Sequence, residues 1–283
     1  MFVNNGTDPA PVIGMTDNRD TEVPGTRYRQ HRHGNPEFLM SSYRYLIKEK
    51  VVNVLAEFID KFRLNFIEDK RYEFIFNGLK TTLIITAFAV LIGIVLGFII
   101  AMIRSTHDRT GKMKILNAIC KVYLTVIRGT PAMVQLLIMY YVVFAVHDPG
   151  KMITAIIAFG LNSAAYVAEI VRSGIMSIDQ GQFEAGRSLG FNYRQTMLLI
   201  ILPQAFKNVL PALANEFIVL MKETSISGYI GITDLTRGGD IIRSQTYEAL
   251  LPLLAVAAIY LILVMFLSYL VGKLERRLRS SER

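Results

Sequence analysis

Four long apolar stretches constrain this sequence more than any other feature. They cover about residues 78–103, 115–146, 152–178 and 247–271, and the second is interrupted by "RGTP". A helix needs about 20 apolar residues to cross the hydrocarbon core of a bilayer, and each stretch has that length. A fifth stretch, 205–226, is more polar but lies between apolar runs. Because 52% of the residues are hydrophobic, we predict an all-α integral membrane protein with five core transmembrane helices.

The charges between these stretches predict their orientation. Lys and Arg outnumber Asp and Glu in residues 104–114 and at the C-terminus, where 276–283 is predicted to form a basic tail. Cytoplasmic loops carry such a surplus. Residues 104–114, 184–203 and the tail are therefore predicted to face the cytoplasm, and 227–246 the outside. The surplus indicates membrane orientation rather than nucleic-acid binding.

The N-terminal region precedes the first apolar stretch. Residues 1–50 are predicted to form a disordered extension, because they are densely charged. Residues 51–76 are predicted to contain an amphipathic helix at the membrane interface, since 51–67 has apolar residues at helical spacing. The transmembrane domain is then 77–275. His31 and His33 indicate either a metal site or, as the composition favours, a solvated tail.

A polar segment, "EAGRSLGFNYRQTMLLIILP" (184–203), lies between two apolar spans. Gly190 is spaced to end a short helix in the left-handed conformation, and Asn192 is placed to cap the next helix. Pro203 lacks a backbone N–H and is expected to turn or kink the chain. We predict two short helices that meet at a corner and dock into a groove on another protein. A plain connecting loop is the alternative.

This segment resembles the "EAA" motif of permease subunits of ATP-binding-cassette importers. The matching residues are Glu184, Ala185, Gly190, Ile200, Leu202 and Pro203. Gly186 departs from the motif, because it replaces the second alanine with another small residue. "RGTPAMVQLLIMYY" (128–141), "LNSAAYVAEIVRSGI" (161–175) and "NEFIVLMKETSI" (215–226) resemble permeases of polar amino-acid uptake systems. The resemblance runs from about Phe74 to the C-terminus.

The resemblance implies a type I importer permease in a bacterial cytoplasmic (inner) membrane, with a cytoplasmic coupling helix in the segment 182–203. It implies three protein partners: an ATPase subunit, a second permease subunit that is identical or related, and an extracytoplasmic amino-acid-binding protein. The outer loop 225–248 is expected either to contact that binding protein or to be a plain connection. The chain has no G-x-x-x-x-G-K-[ST] phosphate loop. We therefore expect no enzyme activity, cofactor or metal in this chain, with ATP and Mg bound by the partner.

Polar residues within the spans are candidates for a substrate pathway, because charges in a bilayer are costly. Glu169, Tyr166 and Asn162 share one helical face, and Glu169 is a candidate to receive the amino group or a cationic side chain of an amino acid. Arg128 is expected at a similar depth, as a structural partner of Glu169 or as part of the site. The further candidates are Gln135 and Glu216.

Three rival functions remain open at this point. An ion-gradient-driven secondary carrier could use the buried acids as ion sites, although no inverted repeat is detectable in the sequence. An importer permease could carry another small polar nutrient. A membrane scaffold without transport would leave the buried polar face without a purpose.

Overall fold

A computed structural model of the protein describes residues 36–280, in which all regular secondary structure is helical. The described part of the chain divides after Asn53, and residues from Val54 onward form one compact unit. The helices are α1 (Pro36–Phe62), α2 (Tyr72–Thr110), α3 (Lys114–Gly129), α4 (Ala132–Ile138), α5 (Lys151–Met176), α6 (Gln180–Ser188), α7 (Tyr193–Thr196), α8 (Leu202–Glu223), α9 (Leu235–Thr246) and α10 (Leu250–Ser280).

Five membrane spans follow from these helices, as predicted. Helices α2, α5 and α10 and the helical path Tyr193–Ile230 are each long and apolar enough to cross a bilayer. The fifth span is broken, since α3 and the path Ala132–Val143 meet at an angle of 109°. The break falls at the predicted "RGTP", where Pro131 adopts an extended conformation before α4. Helix α2, Tyr72–Thr110, extends beyond the predicted apolar stretch at both ends.

Helices α2 and α5 form the centre of the bundle. Small residues allow their backbones to approach closely. A Cβ atom built on Gly93 would lie 2.7 Å from Ser163 Oγ, and one on Gly97 would lie 2.7 Å from Val167 Cβ. The same four-residue spacing continues through Ala101 and Ser105, both fully buried. Close packing therefore extends almost to the end of α2.

The N-terminal region differs from the prediction. Residues 36–50, predicted to be disordered, lie in α1, whose sequence here is rich in good helix formers. The predicted interfacial helix 51–76 is broken after Phe62 by a π-helical turn and a 3-10 turn. The chain reverses there because Asp69 and Lys70 adopt left-handed conformations, with φ of 51° and 54°. His31 and His33 lie outside the described residues.

The predicted outer loop 225–248 is a folded part of the bundle. It contains the 3-10 helix Thr224–Ile230 and α9, and Leu235 and Ile242 of α9 are fully buried. Asp234 caps α9 by accepting a hydrogen bond from the Arg237 backbone N–H at 2.6 Å. It also accepts one from the Ser227 hydroxyl at 2.7 Å. Burial raises the pKa of the Asp234 carboxyl, which has no solvent exposure.

Candidate functional site

The segment 180–196 folds into the predicted corner of two short helices, which we call the coupling knob. Asn192 caps α7 by accepting a hydrogen bond from Gln195 N at 3.0 Å, and the Gln195 side chain accepts one from Asn192 N. Gly190 has φ +81°, which favours glycine at the end of α6. Asp179 caps the start of α6, a feature the sequence reading missed.

The knob is anchored on one side and exposed on the other. Phe183 is buried in an apolar cluster with Met197 and Ile201. Glu184 and Ala185 are exposed on the opposite side of α6. The knob thus presents a carboxylate and a small side chain on a firmly packed base.

Gly186 is part of the anchored side. A Cβ atom at this position would lie 2.7 Å from Thr196 Cγ2 and 3.2 Å from Ile200 Cδ1. The departure from the family's alanine therefore has a local reason, because α6 and α7 are too close for a methyl group. The guanidinium of Arg109, at the end of α2, lies 3.6 Å from the centre of the Phe183 ring. This contact connects the knob to the α2–α5 core.

The other two residues predicted to couple to the ATPase, Leu202 and Pro203, lie outside the knob and begin α8. Of the turn or kink expected at Pro203, the turn is absent, because the helical path continues from Tyr193 to Ile230. A π-helical turn, Met197–Ile201, directly precedes it. The altered hydrogen-bond pattern of this π-helical turn explains how the continuous path accommodates a proline, which has no backbone N–H.

Glu169 on α5 is surrounded by arginines from three helices. Its Oε2 lies 3.0 Å from Arg104 Nη1 on α2 and 3.8 Å from Arg128 Nη1 on α3. Its Oε1 accepts from Arg172 Nη2 at 2.8 Å, and Arg172 also contacts Asp108 at 3.3 Å. The structure thus brings Arg128 and Glu169 together, in a cluster with more positive than negative charge.

Arg104 was not among the sequence candidates, because residues 104–114 were assigned to a cytoplasmic loop. Helix α2 instead continues to Thr110, which places Arg104 on the side that faces α5. A signal was present in the sequence: Ala101 and Ser105 extend the spacing of Gly93 and Gly97 by two turns. A buried helical stripe predicts that the helix continues as far as the stripe does.

A cleft of about 470 Å³ lies between α5 and α8. Its polar lining residues are Arg128, Tyr166, Glu169, Ser173, Ser177, Asn208 and Glu216. Glu216 is only 7% exposed, and its Oε1 accepts a hydrogen bond from Ser163 Oγ at 3.0 Å. Four of the six predicted pathway residues therefore line one cleft inside the membrane-spanning part.

The other two pathway candidates, Asn162 and Gln135, contact each other instead. Asn162 Nδ2 donates to Gln135 Oε1 at 2.9 Å. Gln135 Nε2 donates to the backbone carbonyls of Ile127 at 2.7 Å and Thr130 at 3.0 Å. These bonds satisfy carbonyl groups that the break between α3 and α4 leaves free. The two side chains therefore hold the broken span together and lie outside the cleft.

Metal ligands are not grouped in the part of the chain that the structure describes. Within residues 36–280, no three or more His, Cys, Asp or Glu side chains are placed to hold a metal ion.

Comparison with known proteins agrees with this architecture. Residues 93–280 match the family model described as "Binding-protein-dependent transport system inner membrane component". The chain belongs to this family. It is a permease subunit, a multi-pass component of the inner membrane.

Individual relatives match over most of this permease. It is 38% identical to the arginine transport system permease protein ArtQ of Bacillus subtilis, over 74% of this chain and 94% of that protein. It is 36% identical to the glutamine transport system permease protein GlnP of Escherichia coli, over 72% and 92%. Among solved structures, the crystal structure of an amino acid ABC transporter with histidines contains a chain with 43% identity and a TM-score of 0.68. That match covers 74% of this chain and 95% of the other.

Proposed function

We propose that this permease moves polar amino acids across the inner membrane through the cleft between α5 and α8. The observation that carries the proposal is that one cleft holds Arg128, Glu169 and Glu216 together among the membrane-spanning helices. Charged groups at that location are costly unless they serve a ligand or one another. The named substrates of the relatives, arginine and glutamine, fit a site that offers both charges.

The two ends of an amino acid require opposite partners. Arg128 is the residue of this cluster suited to the substrate's carboxylate, because its side chain is 45% exposed and lies 3.8 Å from Glu169. Arg104, at 15% exposure, is committed to Glu169. A guanidinium that faces the cleft can bind a carboxylate through two parallel hydrogen bonds.

Glu216 is the better candidate for the substrate's ammonium group. Glu169, the candidate from the sequence, is already compensated by Arg104 and Arg172. Glu216 has a hydroxyl partner, Ser163, on Oε1. A desolvated carboxylate with a neutral partner gains more from an ammonium ion than one already paired with arginines. We assign Glu169 to hold Arg128 in place.

Energy for transport is proposed to come from an ATPase subunit that binds the coupling knob. The exposed residues Glu184 and Ala185 form the docking surface, and Phe183 and Gly186 anchor it. We propose an assembly of two permease subunits with two ATPase subunits, in which ATP and Mg bind to the ATPases. An extracytoplasmic amino-acid-binding protein would deliver substrate at the opposite membrane surface.

The test is uptake into proteoliposomes that contain the permease, its co-purifying ATPase and the binding protein, with a panel of cationic, neutral and acidic amino acids. Glu216→Gln keeps the acceptor for Ser163 but removes the charge, and we expect uptake to fall about tenfold or more. Glu223→Gln, on the same helix but outside the cleft, is the matched control and should transport normally. Normal uptake by Glu216→Gln would show that substrate does not bind there.

A second arm of the same assay tests the energy source. Transport should require ATP on the side of the membrane that the coupling knob faces, which is the lumen of the proteoliposome, or the outside when insertion is inverted. Collapse of ion gradients should leave the transport rate unchanged. Uptake that needs a gradient and no ATP would contradict the proposed coupling.

A further inference from the structure

The last nine residues of α1, 54–62, form an amphipathic helix with an unpartnered apolar side. At about 100° per residue, one side carries Val54, Leu55, Phe58, Ile59 and Phe62. All five are exposed, by 46% to 66%. The other side carries Glu57, Asp60 and Lys61. A contiguous exposed apolar surface of this kind marks an interaction site.

The end of this helix is tied to the last turn of α9. Asn65 is fully buried, and its Nδ2 donates to the Lys61 carbonyl at 2.8 Å. Its Oδ1 accepts a hydrogen bond from the Thr246 hydroxyl at 2.8 Å. Arg71 adds hydrogen bonds to the Leu64 carbonyl and, at 3.3 Å, to Gln245 Oε1. The helix end is therefore fixed relative to the bundle.

This tie sets the depth of the helix end in the membrane. Helix α2 begins at Tyr72, directly after Arg71, and α10 begins at Leu250, four residues after Thr246. Both are membrane spans. The corner formed by Asn65, Arg71 and Thr246 thus lies where two spans enter the same surface of the bilayer.

Exposed aromatic side chains lie at the same depth as this corner, where α2 and α10 begin. Tyr72 and Phe76, in the first turns of α2, and Tyr247, before α10, are all exposed. Tyrosine is enriched where a membrane meets water, so Tyr72 and Tyr247 indicate this boundary. The rings of Phe58, Phe62 and Phe66 follow one another at centroid distances of 6.5 Å and 5.0 Å. Phe66 is buried in the core beside Ile75 and Leu235, so the exposed side of the helix is continuous with the surface of the bundle.

We propose that residues 54–62 bind the lipid bilayer itself, at the boundary between head groups and acyl chains, on the surface where α2 and α10 begin. The positive-inside argument makes this the outer surface. Val54, Phe58 and Phe62 enter the acyl region, and Asp60 faces water. Because Glu57, Asp60 and Lys61 nearly balance in charge, burial of apolar area provides the attraction, and anionic lipid is not required.

The chain contains no tryptophan, so a single introduced tryptophan reports its own surroundings. The full-length protein is placed in vesicles of phosphatidylcholine, with Phe58→Trp on the apolar side and Asp60→Trp on the opposite side as the matched control. We expect lipids brominated near the glycerol to quench Phe58→Trp several-fold more than Asp60→Trp. Acrylamide in the aqueous phase should quench in the reverse order. Added phosphatidylglycerol should leave both results unchanged.

Two results would overturn the proposal. Equal quenching of both variants by acrylamide would place the helix in water. A Phe58→Trp emission shielded from both bromine and acrylamide would show that protein covers the apolar side, as a second copy of this chain or the binding protein would. Neither result depends on uptake, so the transport proposal is tested separately.

Discussion

Arg104 on α2 and Glu169 on α5 form an ion pair with 3.0 Å between Nη1 and Oε2. The pair connects the two helices that form the centre of the bundle. Arg128 reaches the same carboxylate from α3 at 3.8 Å and is far more exposed. The two arginines therefore serve Glu169 differently, one as a structural partner and the other at the edge of the cleft.

Their difference predicts different phenotypes. Arg104→Gln should lower the free energy of unfolding by about 1 to 2 kcal/mol, because it removes the less exposed partner while Arg172 still compensates Glu169. Arg128→Gln should leave Tm nearly unchanged but raise KM for uptake. Thermal unfolding in detergent, measured beside transport kinetics, separates the two effects. Equal loss of Tm in both variants would argue against this division.

Gly186 and Thr196 are expected to be coupled in stability. Gly186→Ala should lower the free energy of unfolding by about 1 kcal/mol. The overpacking of the added methyl group against Thr196 should cost more than alanine gains in helix propensity. In a Thr196→Ala background the same change should be neutral or stabilising. A double-mutant cycle on Tm measures this coupling, and an additive result would show that α6 and α7 can separate freely.

Glu184→Lys should abolish uptake while the protein remains folded in the membrane. The side chain is exposed on the coupling knob, so charge reversal should weaken ATPase docking without affecting the core. Pull-down of the ATPase from gently solubilised membranes provides the measurement. Glu73→Lys is the control: it is an equal charge change at an exposed residue in the first turn of α2, at the end of that helix far from the knob, and it should recover the ATPase normally. Retention of ATPase by Glu184→Lys would exclude this carboxylate from the docking surface.

Asp234 should contribute to the free energy of unfolding and to the pH dependence of that free energy. Asp234→Ala should cost about 2 kcal/mol, since a cap is lost and buried donors become unpaired. Because burial raises the folded-state pKa of Asp234, its favourable contribution is complete below the unfolded value of about 4 and is lost as pH rises through the folded pKa.

Asp234→Asn, which cannot ionise, provides the test of that sign. As pH rises above about 4, the Tm of the wild type should fall relative to that of Asp234→Asn. A wild type that gains Tm relative to the variant over this range would mean that the hydrogen bonds to the carboxylate outweigh burial.

The sequence by itself determined the membrane-spanning class, the five spans and the break at "RGTP". It also determined the two short helices in 180–196, with the turn at Gly190 and the cap at Asn192. These features are local: bilayer thickness sets the length of an apolar run, and turns and caps depend on a few neighbouring residues. The family resemblance rested on the same local motifs.

The tertiary structure decided what depends on distant neighbours. Whether Arg104 lies in a loop or on α2 depends on packing against α5, sixty-five residues later. Three further features likewise depend on which helices meet. They are the hydrogen bonds of Gln135 across the helix break, the burial of Asp234, and the hydrogen bond between Asn65 and Thr246. A polar side chain reads the same in a sequence whether it lines a path or satisfies a backbone carbonyl, because only its partners differ.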